Sequence, residues 1–230
     1  LHWIGNTPEQ DKAVSFGVPF DEGYLFPETS LRLKTDRNQE IPVDTWPLAY
    51  WPDGSVKWSG VAGVIPAGTE RLTLEKAPRK AKIINKQPNA SIAITETPEN
   101  IQIETGLISV FIPRHGDFLI DSLLYKGTKV GEKARLICNT QSEPIQENTS
   151  QISFTHYIGE IKSVTIERLG SVRALVKLEG IHRNRNKEID TNHSEGKGNY
   201  ANNSDMNKLN NREWLPFVVR LYFYGGSEQI

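Results

Sequence analysis

The sequence predicts an all-β protein that contains a large antiparallel sandwich of two sheets. Short runs of alternating apolar and polar residues recur along the chain, as expected for strands with one buried face. Turn-forming residues separate the runs, with 13 prolines and 18 glycines among 230 residues. No stretch keeps a helical periodicity over several turns, so helices are not expected to contribute to the core.

Composition excludes several classes of partner. The chain carries 27 basic and 28 acidic residues, so its charge does not favour nucleic acid or an anionic membrane surface. No apolar run approaches the roughly 20 residues needed to span a bilayer. The single cysteine, Cys138, excludes an internal disulfide. We therefore expect no nucleic-acid partner and no membrane partner.

A hairpin between residues 49 and 58, Ala-Tyr-Trp-Pro-Asp-Gly-Ser-Val-Lys-Trp, is the most informative segment. Pro52 fixes a backbone angle suited to a tight turn, and Asp53 can bond to its own backbone. Gly54 adopts a positive φ without steric cost. Apolar residues alternate on both sides of this turn, which is typical of two half-buried strands.

The hairpin also has the side chains of a sugar-binding surface. Trp51 and Trp58 flank the turn, and Asp53 and Lys57 lie between them. Aromatic faces stack on sugar rings, while charged side chains hydrogen-bond to sugar hydroxyls. The alternative is that the tryptophans are core residues and the charges sit on a solvated turn. Under that interpretation, Trp58 and Val56 are buried, with Asp53 and Gly54 at the hairpin tip.

The chain divides into two blocks, residues 1–80 and 90–230, which we expect to meet near 78–90. Residues 76–89 are basic and contain proline, unlike the strand-like runs on either side. In the second block, four apolar residues alternate with charged ones, which predicts a sheet with one wet face. The apolar residues are Val172, Ala174, Val176 and Leu178, and the charged ones are Arg173, Lys177 and Glu179.

A polar, asparagine-rich stretch from Arg183 to Glu213 interrupts the second block. Its composition favours a mobile loop over an ordered binding loop. We expect Trp214 and Leu215, at its return, to anchor one end in the sandwich core. If the stretch instead lines a cleft, Arg183, Arg185 and Lys197 could meet a uronate carboxylate, with His182 at its base.

Three segments resemble exo-rhamnogalacturonan lyase-like proteins. Residues 15–20, Ser-Phe-Gly-Val-Pro-Phe, match a GxPF strand of that family, and the hairpin matches its WPDGSxKW motif. Residues 214–228 are similar to a strand of the family's central β-sandwich. The resemblance implies a small RIFT-type N-terminal β-barrel over residues 1–80. It also implies an antiparallel central β-sandwich over 90–230.

The resemblance further implies a whole protein that cleaves rhamnogalacturonan or another pectin-type acidic glycan by β-elimination. Family members place an α/α toroid after these two domains, and the catalytic cleft is expected to involve it. No catalytic residue is therefore assigned in this chain. The implied partners are an acidic polysaccharide or oligosaccharide and the toroid, in a secreted or periplasmic protein. A non-catalytic carbohydrate-binding module and a purely structural β-domain are the alternatives.

The sequence nominates five carbohydrate-binding candidates: Trp51, Asp53, Lys57, His182 and Arg183. No metal site is expected, because the calcium-like run starting at Asp190 lacks the turn glycine and the bidentate glutamate. No cofactor motif is present. The chain begins without a start methionine or signal peptide and ends just past a turn, so we expect the front part of a longer protein.

Overall fold

The computed structural model describes residues 1–78, 92–141, 154–184 and 213–230. Within these ranges the chain forms 15 strands and no helix, which confirms the all-β prediction. No helix in the described part of the chain is long and apolar enough to cross a membrane. The predicted meeting of the two blocks near 78–90 falls almost entirely on residues outside these ranges.

Six strands form the N-terminal unit: β1 (Lys12–Pro19), β2 (Leu31–Thr35), β3 (Glu40–Ile41), β4 (Val43–Tyr50), β5 (Val56–Ile65) and β6 (Leu72–Lys76). They make two three-stranded antiparallel sheets, in the orders β1-β5-β4 and β3-β2-β6. Leu33, Ile41 and Ile65 form a buried core between these sheets.

The hairpin follows the turn chemistry of its sequence. Gly54 has a φ of 82°, and Asp53 and Gly54 are exposed at the tip between β4 and β5. Val56 is buried as predicted, and its N–H donates to the carbonyl of Leu25 at 2.6 Å. Trp58 is 41% exposed, so the prediction that it is buried is wrong. The hydrogen bond to Leu25 places that loop against the start of β5, whereas the ring of Trp58, two residues further along, lies over Gly17 with one side in solvent.

Nine strands form the second unit: β7 (Ala93–Glu96), β8 (Asn100–Glu104), β9 (Ile108–Pro113), β10 (Ile120–Tyr125), β11 (Thr128–Ala134), β12 (Ile137–Gln141), β13 (Phe154–Leu169), β14 (Arg173–Asn184) and β15 (Glu213–Tyr224). The five strands β11-β10-β9-β8-β7 make one antiparallel sheet, and β12-β13-β14-β15 make the other. Ile101, Ile103, Val110, Val176 and Phe223 are fully buried between them. This is the predicted β-sandwich.

The wet outer face predicted for β14 is present with one exception. Ala174, Val176 and Leu178 are fully buried, and Lys177 is partly exposed on the opposite face. Arg173, predicted to lie on that wet face, is only 4% exposed. It begins β14 where the N-terminal unit packs against the sandwich, so the neighbouring unit covers it.

Both units contain strand glycines covered by an aromatic ring from the adjacent strand. Trp46 on β4 pairs with Gly60 on β5, and any Cβ at Gly60 would overlap the indole ring. In the sandwich, Phe217 on β15 covers Gly180 on β14 in the same way, and its ring also reaches Gly159 on β13. Glycine in a strand interior often marks such a close approach.

Asp44 joins the two units. Its carboxylate accepts hydrogen bonds from the backbone N–H groups of Ser171, Val172 and Arg173 at 2.7–2.9 Å. The Ser171 hydroxyl donates a further bond of 2.9 Å to the same carboxylate. Gly170 leaves room for it, because a Cβ there would overlap the carboxylate. One acidic side chain of the barrel thus caps the turn that leads into β14.

The predicted mobile loop, from Arg183 to Glu213, lies outside the described residues between positions 185 and 212. Just after this stretch, the ring centres of Trp214 and Tyr157 are 5.0 Å apart, but Trp214 is still 37% exposed. Leu215 is 44% exposed and has a φ of 54°. The expectation that Leu215 anchors the loop in the core is wrong: it is the extra residue at an irregularity in the pairing of β14 with β15, between Trp214 and Pro216, and it is exposed.

Replacing Leu33 by alanine should destabilise the protein by about 2–5 kcal/mol, because the change opens a cavity in a fully buried site. Trp58→Ala should cost less, since 41% of that residue is already in solvent. Denaturant melts of the two variants test the order. A larger loss for Trp58→Ala would contradict this assignment of core and surface.

Asp44→Ala should lower the free energy of unfolding by about 1–3 kcal/mol, because several N–H groups lose a charged acceptor. The same variant should separate the melting of the two units in calorimetry. Asp21→Ala is the control, since its carboxylate makes no hydrogen bond or ion pair with a described residue. Equal effects of the two substitutions would refute a specific role for Asp44.

Candidate functional site

The hairpin brings three of the five predicted residues together. The Trp51 indole N–H donates to the carbonyl of Phe20 at 2.9 Å, so the polar edge of the ring is already satisfied. The Lys57 ammonium lies 4.3 Å from the centre of the same ring, as a cation–π contact. Lys57 therefore covers one face of Trp51, and a sugar would have to displace the ammonium to stack there.

Asp53 stabilises the turn. Its carboxylate accepts a 2.5 Å bond from the Ser55 hydroxyl and a 2.9 Å bond from the Ser55 N–H. The hydroxyl bond contributes most to lowering the pKa of Asp53 below its usual range, followed by the backbone bond. Ser55 is fully buried, and its hydroxyl also accepts the N–H of Gly23 at 2.9 Å. Asp53 and Ser55 thus link the hairpin tip to the preceding loop.

His182 and Arg183 lie at the far end of β14, about 30 Å along the strand from its start at the barrel. His182 is 4% exposed and its Nδ1 is 2.8 Å from the carbonyl oxygen of Leu215. Arg183 bonds to Glu160 and Glu213, each at 2.7 Å, and lowers the pKa of Glu213. The structure therefore does not bring these two residues to the hairpin.

A groove at the junction of the two units contains aromatic and basic side chains that the sequence did not nominate. We call it the junction groove; it is open to solvent and has a volume of about 560 Å³. The outer face of the barrel sheet forms one wall, and the outer face of the sandwich sheet forms the other. Its main side chains are Trp46, Leu48, Arg168, Arg173, Leu175 and Tyr222.

Arg173 is the central basic residue of the junction groove. Its Nη1 donates to the hydroxyl of Ser15 at 2.7 Å, and its guanidinium carbon lies 4.1 Å from the ring centre of Trp46. The ring of Tyr222 is 5.3 Å away. Nε is buried and has no hydrogen-bond partner among the described residues. This guanidinium is therefore packed by aromatic rings without being neutralised by an acid.

Arg168 adds a second positive charge to the same wall. Its guanidinium carbon is 4.7 Å from the ring centre of Trp46, and it makes no salt bridge with a carboxylate of a described residue. The nearby carboxylate of Asp44 is occupied by the turn at residues 171–173. Glu167, the neighbour of Arg168 in sequence, bonds instead to Arg220 at 2.7 and 3.0 Å.

Two family models together match most of the chain. Residues 1–77 match the PcRGLX-like N-terminal RIFT barrel domain, and residues 92–230 match the PcRGLX-like protein central beta sandwich domain. The chain belongs to the PcRGLX-like family. The resemblance to exo-rhamnogalacturonan lyase-like proteins, inferred from the hairpin and strand motifs, is thereby confirmed, as is the order of a barrel followed by a sandwich.

A relative of the PcRGLX-like chain is the uncharacterized protein YetA of Bacillus subtilis (strain 168). The two are 30% identical over 232 residues, an alignment that covers 100% of this chain and 24% of the relative. The chain thus spans about a quarter of the length of the curated relative that it matches.

The junction groove of this PcRGLX-like chain was missed because its residues are scattered through the sequence. Trp46, Arg168, Arg173 and Tyr222 come from three separate segments, and none belongs to a recognisable motif. The alternation along β14 gave no signal either, because Arg173 occupies a position of the charged face, between Val172 and Ala174. In the described ranges, no group of three or more His, Cys, Asp or Glu side chains is arranged to hold a metal ion.

Ser55→Ala should raise the pKa of Asp53 toward its usual value, because the hydroxyl bond is the largest cause of the lowered pKa. The stabilisation linked to Asp53 is present above its unfolded-state pKa and is lost as pH falls through the lower folded-state pKa. A carboxyl carbon NMR titration of both proteins measures the change. An unshifted Asp53 pKa in the variant would contradict this assignment.

Proposed function

We propose that this chain is the non-catalytic N-terminal portion of a polysaccharide lyase-like protein. The whole protein acts on rhamnogalacturonan or a related pectin-type acidic glycan by β-elimination. The supporting observation is the presence, in order, of a RIFT barrel and a central sandwich of the PcRGLX-like family. These two domains serve as scaffold and as one wall of the substrate cleft.

The chemistry of β-elimination supports this division of labour. A cation or amide must neutralise the uronate carboxylate, and a base must remove the proton from the neighbouring carbon. The chemically capable side chains nominated by the sequence are engaged elsewhere. Lys57 lies over Trp51, Arg183 bonds to two glutamates, and buried His182 contacts a backbone carbonyl.

The proposed catalytic part is an α/α toroid in the remainder of the whole protein. Because the alignment covers only 24% of the relative YetA, that relative has ample further length for such a domain. Its action on a plant-type polysaccharide would take place outside the cytoplasm, so the proposal includes a secreted or periplasmic protein.

A second candidate function, a carbohydrate-binding module without catalysis, is favoured by one observation. Four large apolar side chains on the outer faces are 37–57% exposed: Leu48, Tyr50, Trp58 and Tyr222. Exposed apolar surface of this kind is typical of interaction sites. In this case the whole protein would bind pectin-type glycan without producing unsaturated sugar. A purely structural β-domain would do neither.

The chain of residues 1–230 should show no lyase activity, whereas the protein from the full reading frame should be active. Incubation with rhamnogalacturonan, followed by the ultraviolet absorbance of unsaturated uronate, measures both. Lys57→Met in the full protein should leave kcat unchanged, because Lys57 has no catalytic role in this proposal. Carboxyl-reduced rhamnogalacturonan is the substrate control.

Each result of this experiment has a distinct meaning. A steady rise in absorbance with the 230-residue chain would place the chemistry within these residues and refute the non-catalytic assignment. An inactive full protein that still binds the glycan would support the binding-module alternative. Activity on the carboxyl-reduced substrate would contradict β-elimination, which needs the carboxylate to acidify the neighbouring proton.

A further inference from the structure

Arg173 is a buried cation without an acidic partner. It is 4% exposed, its Nε has no hydrogen-bond partner, and its only side-chain hydrogen bond to a described residue goes to the neutral Ser15. Burying a charge is costly unless the charge is paired and hydrogen-bonded. Contacts with the rings of Trp46 and Tyr222 offset part of this cost, because an aromatic face attracts a cation.

Arg168 makes the groove a two-cation site. Both guanidinium groups contact the same ring, that of Trp46, with their carbons 4.7 and 4.1 Å from its centre. Neither forms a salt bridge with any carboxylate in the described ranges. Planar guanidinium forks match the two oxygens of a carboxylate better than any other basic side chain does. The two guanidinium groups in the groove are therefore available to bind one anion.

Apolar surface beside the cations matches the remainder of a sugar. Tyr222 is 37% exposed and Leu48 is 57% exposed, and both line the groove. At the groove margin, the ring of Trp58 lies over Gly17, where a Cβ would be 3.5 Å from it. Gly17 and Gly60 pair across β1 and β5, with the Trp46 ring on Gly60 and the side chains of Trp58 and Leu48 over Gly17. The barrel wall of the groove is therefore made of aromatic and apolar side chains, which can pack against a pyranose ring.

We infer that the junction groove is a binding subsite for a hexuronate unit of the glycan. Arg168 and Arg173 bind the sugar carboxylate, while Tyr222 and the Trp58 side of the barrel sheet contact the ring. This subsite rests on the acidic-glycan class of the proposed function but does not depend on β-elimination. It lies at the domain junction, away from the hairpin tip and from His182 and Arg183.

Binding of digalacturonate to the 230-residue chain tests the subsite. The probe should shift the NMR signals of the Arg173 Nε–H and the Trp46 indole N–H in a saturable manner. Galactobiose and the methyl ester of digalacturonate, which lack the charge, should bind at least about tenfold more weakly, as expected for loss of a charge-assisted bond.

Arg168→Gln should weaken digalacturonate binding about tenfold, since one charged donor is lost. Arg220→Gln is the matched control, because it removes the same charge from the same outer face. Arg220 bonds to Glu167 at 2.7 and 3.0 Å and does not line the groove. It should bind the probe as the unaltered chain does.

Arg173→Lys tests the buried arginine of the pair. The melting temperature of this variant is also measured, because Arg173 contacts the barrel and its replacement can destabilise the fold. Weaker binding at an unchanged melting temperature would support the need for a planar fork. If this variant unfolds, the Arg168→Gln and Arg220→Gln pair decides alone.

Three results would overturn the subsite. They are no saturable shift up to about 10 mM probe, equal binding of the charged and uncharged sugars, or equal weakening by Arg168→Gln and Arg220→Gln. Failure of the lyase assay on the full protein would refute β-elimination but leave these binding results intact. Conversely, if the full protein is an active lyase but the junction groove does not bind digalacturonate, only the subsite is refuted.

Discussion

The hydrogen bonds to Asp44 are the interaction on which the arrangement of this protein depends. A single carboxylate of the barrel satisfies three consecutive N–H groups of the sandwich and one hydroxyl. Because those donors belong to the turn that starts β14, the bond also fixes where Arg173 emerges. The wall of the junction groove, and the contact of Arg173 with Ser15 and Trp46, follow from that position.

Glycines shape both sheets because the missing side chain lets a neighbouring aromatic ring pack directly on the backbone. Trp46 can lie flat on the barrel because Gly60 has no side chain, and Phe217 lies over Gly180 for the same reason. In the barrel this places an indole ring at the surface beside two arginines, whereas in the sandwich it covers buried His182 from the side. The same packing of a ring on a glycine thus forms a wall of the junction groove in the barrel and a closed surface in the sandwich.

Sequence patterns were sufficient for what depends on local chemistry. The tight turn at Gly54, the burial of Val56 and the alternation along β14 all follow from residues close together in the chain. Sequence patterns did not predict the features that depend on contacts between distant segments of the chain. Arg173 is buried because Ser15 and Trp46 of the barrel contact it, and Trp58 is exposed because its ring lies over Gly17 of the neighbouring strand and not in the core. The groove combines β1, β4 and β5 of the barrel with β13, β14 and β15 of the sandwich, so no local window contains it.

The separation in sequence between Asp44 and its partners has a consequence for the order of folding. These hydrogen bonds close a loop of 127 to 129 residues, far longer than any hairpin in the barrel. Long-range contacts of this kind form late in folding, because closing the long loop between them costs conformational entropy before the contact contributes stability. During synthesis the barrel, complete by Lys76, precedes the strands that supply both arginines. The groove is therefore among the last features to assemble, and a sugar bound there would select chains in which both units are already folded.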